Sequence, residues 1–331
     1  MKKVVLISTG GTIASMEDDD AMLKPTLKSD DLVKAISSVP SLPEISTYDF
    51  SNVPSHWFDF NMMLDLSRIV EKVIAGENPD GVVITMGTDA MEEVAYFLEL
   101  VLKRGTPVIV TGAMRSPASL TSDGSANLHD AILAVSSASL RNQGVVVLMN
   151  GEIHHARYVV KTNTMKLSAF SSPDVGPIGV LRENEVILYA GVPQSENFVP
   201  RDMNLRVDLI KCAAGMDGSL VEAAISLGAK GVVIEGYGGG HVTPASIPAL
   251  EKAIAQGVPV IMTSRCPSGE LYHNTYGTEG SEIHLRKLGV IYGSGIPGIK
   301  ARIKLALALG SRMNFEQIRQ SFEGKLPRGI P

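Results

Sequence analysis

Two threonines near the start of the chain lie where a hydroxyl nucleophile could be placed. The apolar run Val4–Ile7 is followed at once by Ser-Thr-Gly-Gly-Thr, a pattern typical of a buried strand that ends abruptly. Ligands of open parallel sheets gather beyond the carboxyl ends of the strands, so we expect Thr9 and Thr12 to face a substrate there. No lysine follows the two glycines, and their spacing fits neither a phosphate loop nor a dinucleotide fingerprint.

A threonine hydroxyl becomes a nucleophile only when a base or a cation helps to remove its proton. Thr88 and Asp89 follow a second buried run, Gly81–Thr85, and Lys161 lies among small polar residues at the end of a predicted strand. A desolvated lysine beside a hydroxyl can act as a base. Spacing alone leaves two other interpretations open, with Asp89 as a helix N-cap and Lys161 as an exposed cation in a turn.

A third polar loop carries Ser55 and His56, and we expect it to converge with the loops of Thr12 and Thr88 at one sheet edge. The acidic stretch between Ser15 and Lys28 has no periodicity. A solvated linker and a lid over the site are both open interpretations of that stretch.

The elements that must position these loops alternate between buried strands and amphipathic helices. Further strands are predicted over 45–50, 107–111 and 145–149, with helices between them. This alternation predicts an α/β fold, a doubly wound and mostly parallel sheet with right-handed crossovers. From Gly151 the pattern changes to short alternating strands over 156–160 and 185–189, which indicates a β-hairpin annex.

The second half of the chain repeats the α/β pattern on a smaller scale. We predict an N-terminal catalytic α/β domain over 1–190, a linker over 191–210 and a smaller C-terminal α/β domain over 211–331. The linker is rich in proline and polar residues and lacks periodicity. Ser122 and Asp123 are predicted to cap a long helix of the first domain.

Composition narrows the class of partner. The 331 residues carry a formal net charge of −5, so a nucleic acid or an anionic membrane is not expected as a partner, and a small molecule is. The first apolar run is too short for a signal peptide and no stretch is long enough to span a bilayer, so we expect a cytoplasmic protein. Cys212 and Cys266 lack a metal or disulfide spacing and are both expected to be buried thiols.

Several longer motifs occur together in the order and spacing of one family. The chain resembles the bacterial L-asparaginases nearly end to end. The motifs that carry the resemblance are Thr9-Gly10-Gly11-Thr12-Ile13-Ala14, Gly87-Thr88-Asp89, Gly112-Ala113-Met114-Arg115, Lys161-Thr162-Asn163-Thr164 and Ser264-Arg265-Cys266-Pro267-Ser268-Gly269.

The resemblance implies an amidohydrolase that uses no metal or organic cofactor. It implies that Thr12 attacks the side-chain amide of L-asparagine and releases ammonia, and that water then cleaves the aspartyl ester. Thr88, Asp89 and Lys161 would be its catalytic partners, with the Thr88 N–H also binding the developing oxyanion. Ser55 would bind the substrate α-carboxylate and Asp89 its α-ammonium.

The chain departs from the family pattern at several positions. Residues 16–28 hold no tyrosine, where the family lid usually carries one, and His56 replaces a frequent glutamine beside Ser55. Glycine and Tyr276 stand where an asparagine and a glutamate normally reach the neighbouring subunit's site. From the uncharged Tyr276 we expect asparagine to be preferred over glutamine, in a homotetramer built as a dimer of dimers.

Other functions compatible with these residues stay open at this point. One alternative keeps the chemistry and changes the substrate to glutamine or to a D-configured amide. Another is ammonia supply within an amidotransferase, for which this length leaves no room for the usual appended domain. A third is a sensor that binds asparagine or aspartate without turnover, although a binder needs no hydroxyl beside a lysine.

Overall fold

A computed structural model of the chain describes residues 2–17, 22–39, 42–193, 195–293 and 295–324. It divides into two compact units, Met1–Asn197 and Phe198–Pro331. The division falls within the segment 191–210 that the sequence suggests as a linker. The first regular strand after it begins at Val207.

The first unit consists of strands and helices that alternate along its first 150 residues. Its strands are β1 Lys3–Ser8, β2 Ser15–Glu17, β3 Leu23–Pro25, β4 Glu44–Asp49, β5 Gly81–Thr85, β6 Val108–Thr111, β7 Val145–Met149, β8 Glu152–His155, β9 Val160–Lys161, β10 Phe170–Ser171, β11 Gly179–Arg182 and β12 Glu185–Leu188. Its α-helices are α1 Ser29–Ile36, α2 Phe60–Glu77, α3 Met91–Val101 and α4 Gly124–Val135. Short 3-10 helices cover Thr12–Ala14, Ser55–Trp57 and Ala138–Leu140.

Eight of these strands form one sheet in the order β12-β11-β8-β7-β6-β5-β1-β4. The five strands from β7 to β4 are parallel, and β8, β11 and β12 extend the sheet with antiparallel pairs. The predicted α/β fold with a mostly parallel sheet is thereby confirmed. The hairpin annex continues the edge of the main sheet, whereas β9 and β10 form a separate two-stranded ladder.

Burial on both faces explains why the central strands are uninterrupted apolar runs. Val4, Leu6 and Val83 pack with residues of α1 and α4 in one core cluster. Alternate side chains of the same strands, such as Val5 and Ile7, are equally buried and point to the opposite face. Because Ser8 pairs with both Asp49 and Thr85, the carboxyl ends of β4, β1 and β5 are level.

One local expectation for this unit differs from the structure. The strand predicted over 156–160 is wrong, because the Tyr158 and Val159 amides both donate to the His155 carbonyl and close a turn. The acidic stretch after Ser15 begins and ends in an antiparallel pair, in which Met16 lies opposite Lys24. Residues 18–21 between the two strands lie outside the described residues.

The second unit is a smaller layered α/β structure. Its parallel sheet has the order β13 Val207–Lys211, β14 Gly231–Gly236, β15 Val260–Ser264 and β16 Ile291–Tyr292. Its α-helices are α5 Ser219–Ser226, α6 Ile247–Ala255, α7 Glu282–Leu288, α8 Gly298–Gly310 and α9 Phe315–Glu323, and a 3-10 turn covers Pro244–Ser246. Sequence periodicity did not identify α7, β16 or α9, although the reciprocal capping of Asn314 and Gln317 at the start of α9 was a readable signal.

The two cysteines have different environments. Cys212 is buried, as expected, whereas Cys266 is exposed, so the expectation for Cys266 is wrong. Cys266 follows β15 in a turn in which its backbone N–H donates to Ser264 Oγ, beyond the packed part of the sheet. Within the described ranges, no helix combines the length and apolar character needed to cross a membrane.

Candidate active site

The loops that follow β1 and β5 meet through two glycines. A side chain at Gly11 would collide with the backbone N and Cα of Gly87, and Gly11 has a φ of +82° that favours glycine. The two backbones therefore lie in direct contact. Thr12 and Thr88 each follow one of these glycines, so they lie on the two loops that this contact joins.

The loop after β4 joins the same edge, as expected from its place beside β1. The Val53 amide donates to the Thr9 carbonyl at 3.2 Å. Ser55 is 3% exposed, and its Oγ accepts from the Ala90 N–H at 3.3 Å. A Cβ on Gly87 would lie 2.7 Å from Ser55 Oγ, so Ser55 is directly beside the Thr88 loop.

Thr9 does not face the sheet edge in the way the sequence suggests. Its side chain is 1% exposed, and its Oγ1 donates to the Thr85 carbonyl at 3.0 Å. The expectation that the Thr9 hydroxyl faces a substrate is therefore wrong. Thr12 lies one turn later, in the short helix Thr12–Ala14, and is half-buried.

Lys161 links the two polar residues that follow β5. Its Nζ donates to Thr88 Oγ1 at 2.9 Å and to Asp89 Oδ1 at 2.7 Å. The Lys161 side chain is only 16% exposed. An ammonium held in this way can orient a hydroxyl and transfer a proton along the line that joins the two groups.

The alternative roles for these residues do not match the observed contacts. Helix α3 has Ala90 at its N-cap position and no side-chain cap, so Asp89 does not cap it. Lys161 is mostly buried and is bound by two side chains, which is unlike an exposed cation in a turn. His56 Nδ1 lies 4.0 Å from Asp89 Oδ2, beyond hydrogen-bond distance, and the imidazole is exposed.

Tyr276 belongs to the second unit and is 48% exposed. Its ring packs against those of His241 and Tyr272, with centroid distances of 5.5 and 5.8 Å. The buried Glu282 carboxylate accepts from the Thr275 and Tyr276 amides at 2.5 and 2.6 Å. Its burial acts to raise its pKa, but the Tyr276 and Thr275 N–H groups hold the pKa of Glu282 below its ordinary value.

The glycines after β14 have a packing explanation. A side chain at Gly239 would overlap the Tyr272 ring, and Gly240 has a φ of +101° and lies against Tyr292 and Leu271. An asparagine at position 239 would displace the Tyr272 ring. Tyr272 thus occupies the space into which a side chain from that loop would extend.

Sequence reasoning missed the residues that hold the Gly112–Arg115 loop. The Asp123 carboxylate accepts from the backbone N–H groups of Met114 and Arg115 at 3.0 and 2.9 Å. Asn127 donates to the Gly112 carbonyl at 2.9 Å. Asp123 occupies the N-cap position of α4, as predicted, but its carboxylate makes no cap hydrogen bond there because it binds this loop instead. The available signal in the sequence was the spacing of Asp123 and Asn127, two polar residues four positions apart at the start of a helix.

The contact between Gly11 and Gly87 gives a testable prediction. Gly11→Ala should lower the free energy of unfolding by about 2 kcal/mol or more, because it adds a collision to a positive φ. Gly76→Ala is the matched control. Gly76 lies in α2 with no atom within 4 Å of an added Cβ, so the change should leave stability unchanged or raise it by up to about 1 kcal/mol. Urea unfolding midpoints measure both, and equal midpoints for Gly11→Ala and wild type would contradict the packing described.

The described part of the chain holds no group of three histidine, cysteine or acidic side chains able to bind a metal ion. The polar side chains described at the sheet edge are the hydroxyls of Thr12, Ser55 and Thr88 together with Lys161, Asp89 and His56. Such a set fits acyl transfer through a hydroxyl nucleophile.

Comparison with known proteins gives consistent matches over both units. Residues 3–194 match the family model for the asparaginase N-terminal domain, and residues 206–322 match the glutaminase/asparaginase C-terminal domain. The chain is 35% identical to an L-asparaginase of Bacillus licheniformis, over 94% of this chain and 96% of that protein. It is 31% identical to a probable periplasmic L-asparaginase of Haemophilus influenzae, over 98% of this chain and 93% of that protein.

A solved structure matches equally broadly. The crystal structure of a probable cytoplasmic L-asparaginase from Campylobacter jejuni superposes with a TM-score of 0.86 at 32% sequence identity. The match covers 98% of this chain and 99% of the other.

Proposed function

We propose that this chain, which belongs to the asparaginase family of amidohydrolases, is an L-asparaginase that hydrolyses L-asparagine to L-aspartate and ammonia at Thr12. The observation that carries the proposal is that Lys161 Nζ is bonded both to the Thr88 hydroxyl and to Asp89. These groups adjoin the Thr12 loop through the contact between Gly11 and Gly87.

In the first step, Thr12 Oγ1 attacks the carbonyl carbon of the substrate's side-chain amide. The hydroxyl proton passes through the Thr88 and Lys161 pair to the amide nitrogen, which leaves as ammonia. The Thr88 N–H binds the oxyanion that develops on the carbonyl oxygen. Thr12 is left as an aspartyl ester.

In the second step, water attacks this ester, its proton returns to Thr12, and aspartate leaves. Ser55 binds the substrate α-carboxylate, and His56 next to it forms part of the same binding surface. Asp89 binds the α-ammonium. The arriving ammonium therefore shares Asp89 with Lys161, whose Nζ already contacts that carboxylate.

Ammonia release on mixing with L-asparagine tests the proposal directly. Parallel incubations with L-glutamine and D-asparagine test the alternative substrates, since the C-terminal family model covers glutaminases as well. A protein that asparagine stabilises against heat without releasing ammonia would be a sensor. That result would contradict the proposal.

We also propose that asparagine is preferred over glutamine and that Tyr276 approaches the Thr12 site of another subunit. An uncharged phenol holds an α-ammonium less tightly than a carboxylate does. The longer substrate depends more on that contact, so kcat/KM for asparagine should exceed that for glutamine at least about tenfold.

The variant Tyr276→Glu should narrow this ratio by restoring a carboxylate. The matched control is Tyr189→Glu, because Tyr189 is an exposed tyrosine of the first unit and should leave the ratio unchanged. Similar kcat/KM values for the two amino acids in the wild type would contradict the prediction. So would a structure of the assembled protein with Tyr276 far from every Thr12.

The proposed assembly is a homotetramer made of two dimers, which the molar mass in solution tests. The proposed location is the cytoplasm. The relative from Campylobacter jejuni is named cytoplasmic and supports that location. The one from Haemophilus influenzae is named periplasmic, so cell fractionation is the deciding measurement.

A further inference from the structure

Lys161 lies on a short strand that few backbone hydrogen bonds hold in place. Strand β9 has two residues, and its described ladder partner is β10, where Lys161 lies opposite Phe170. These two strands form a sheet separate from the main one. A lysine also has a flexible four-carbon stem, so the position of its Nζ depends on what fixes its backbone.

The Glu92 carboxylate supplies such a support. Glu92 is the second residue of α3 and is 5% exposed. Its Oε1 accepts a hydrogen bond from the Lys161 backbone N–H at 3.0 Å. Helix α3 begins two residues after Asp89, so one carboxylate joins the helix that follows Thr88 and Asp89 to the strand that carries Lys161.

We propose that Glu92 is a positioning residue that holds Lys161 Nζ within hydrogen-bond reach of the Thr88 hydroxyl. The inference rests on the proposed function, since it assigns Glu92 to the same reaction. The backbone bond of Lys161 and the 2.9 Å bond of its Nζ lead to the same segment, residues 88–92. These two bonds fix the position of β9 relative to the start of α3. A displacement of a catalytic group by about 1 Å can lower the rate about 100-fold.

Glu99 offers a matched control on the same helix. It lies seven residues after Glu92, which places both on one helix face, and it is 4% exposed. Its Oε2 accepts from the Val145 N–H at 2.7 Å, so Glu99 supports β7, whereas Glu92 supports β9. Removal of either carboxylate takes a buried acceptor from a backbone N–H, and Glu99→Leu also removes a 3.1 Å bond from Arg104. Of the two acids, only Glu92 contacts Lys161.

The experiment compares Glu92→Leu, Glu92→Asp and Glu92→Gln with Glu99→Leu in the full-length protein. Glu92→Leu should lower kcat about 10-fold to 100-fold while KM changes less than about threefold. Glu92→Asp keeps the charge but withdraws the oxygen by one methylene and should show the same loss, which covers the case in which the leucine variant does not fold. Glu92→Gln keeps an acceptor oxygen and should restore kcat to within about threefold of wild type.

Hydrogen exchange of the Lys161 amide provides a readout that does not depend on turnover. Protection of this amide should fall in Glu92→Leu and Glu92→Asp and persist in Glu92→Gln and Glu99→Leu. Unchanged protection of the Lys161 amide in Glu92→Leu and Glu92→Asp would overturn the inference. A kcat of Glu92→Leu equal to that of Glu99→Leu would overturn it as well. A wild-type protein that releases no ammonia would instead refute the proposed function, and the exchange data would still decide whether Glu92 anchors Lys161.

Discussion

Thr12→Ala is expected to abolish ammonia release from L-asparagine and to leave the protein folded. The change removes the hydroxyl that forms the aspartyl ester in the proposed reaction. Thr12 is half-buried at the start of the short helix Thr12–Ala14, so truncation of its side chain takes little volume from the core. Steady-state ammonia assays and urea unfolding of the same preparation measure the two effects.

The control for this prediction is Thr12→Ser, which keeps a hydroxyl and should retain measurable turnover. Residual activity of Thr12→Ala within about tenfold of wild type corresponds to about 1.4 kcal/mol in the barrier. A loss that small would rule out Thr12 as the nucleophile.

Lys161→Met is expected to lower kcat by several orders of magnitude with a much smaller change in KM. The lysine contacts the Thr88 hydroxyl and Asp89 at 2.9 and 2.7 Å, and a proton-transfer group acts mainly in the transition state.

Lys166→Met serves as the control, because Lys166 is an exposed lysine of the loop that joins β9 to β10. It should have wild-type kcat and KM. A change confined to KM in Lys161→Met would identify Lys161 as a binding residue and would contradict its role as a base.

Sequence reasoning predicted the convergence of the polar loops because it follows from a topological rule. Strands β4, β1 and β5 are adjacent and parallel, so the loops that carry Thr12, Ser55 and Thr88 must leave the sheet at one edge. How closely the loops after β1 and β5 approach each other depends on Gly11 and Gly87. The contact between these two glycines is seen only in the structure.

The position of Lys161 could not be predicted in the same way. It lies 72 residues after Asp89 on a short strand outside the main sheet, and no periodicity indicates where such a strand returns. Family resemblance supplied the pairing, and the structure supplied the contacts.

The supporting roles of Glu92 and Asp123 could not be recognised from the sequence, because both lie where acidic residues are common. Glu92 in the first turn of α3 and Asp123 before α4 fit the usual preference for acidic residues at helix starts. Their carboxylates instead accept backbone N–H groups from other segments. Thr9 was misjudged for a related reason, because the neighbouring strand offers its hydroxyl the Thr85 carbonyl.

The measurement that tests the central claim most directly is trapping of the acyl-enzyme with hydroxylamine. If Thr12 carries an aspartyl ester, hydroxylamine and water compete for the same intermediate. We predict that L-asparagine and the β-methyl ester of L-aspartate give aspartyl hydroxamate and aspartate in one common ratio. Ratios that differ between the two leaving groups, or aspartate formed without any hydroxamate, would contradict covalent catalysis at Thr12.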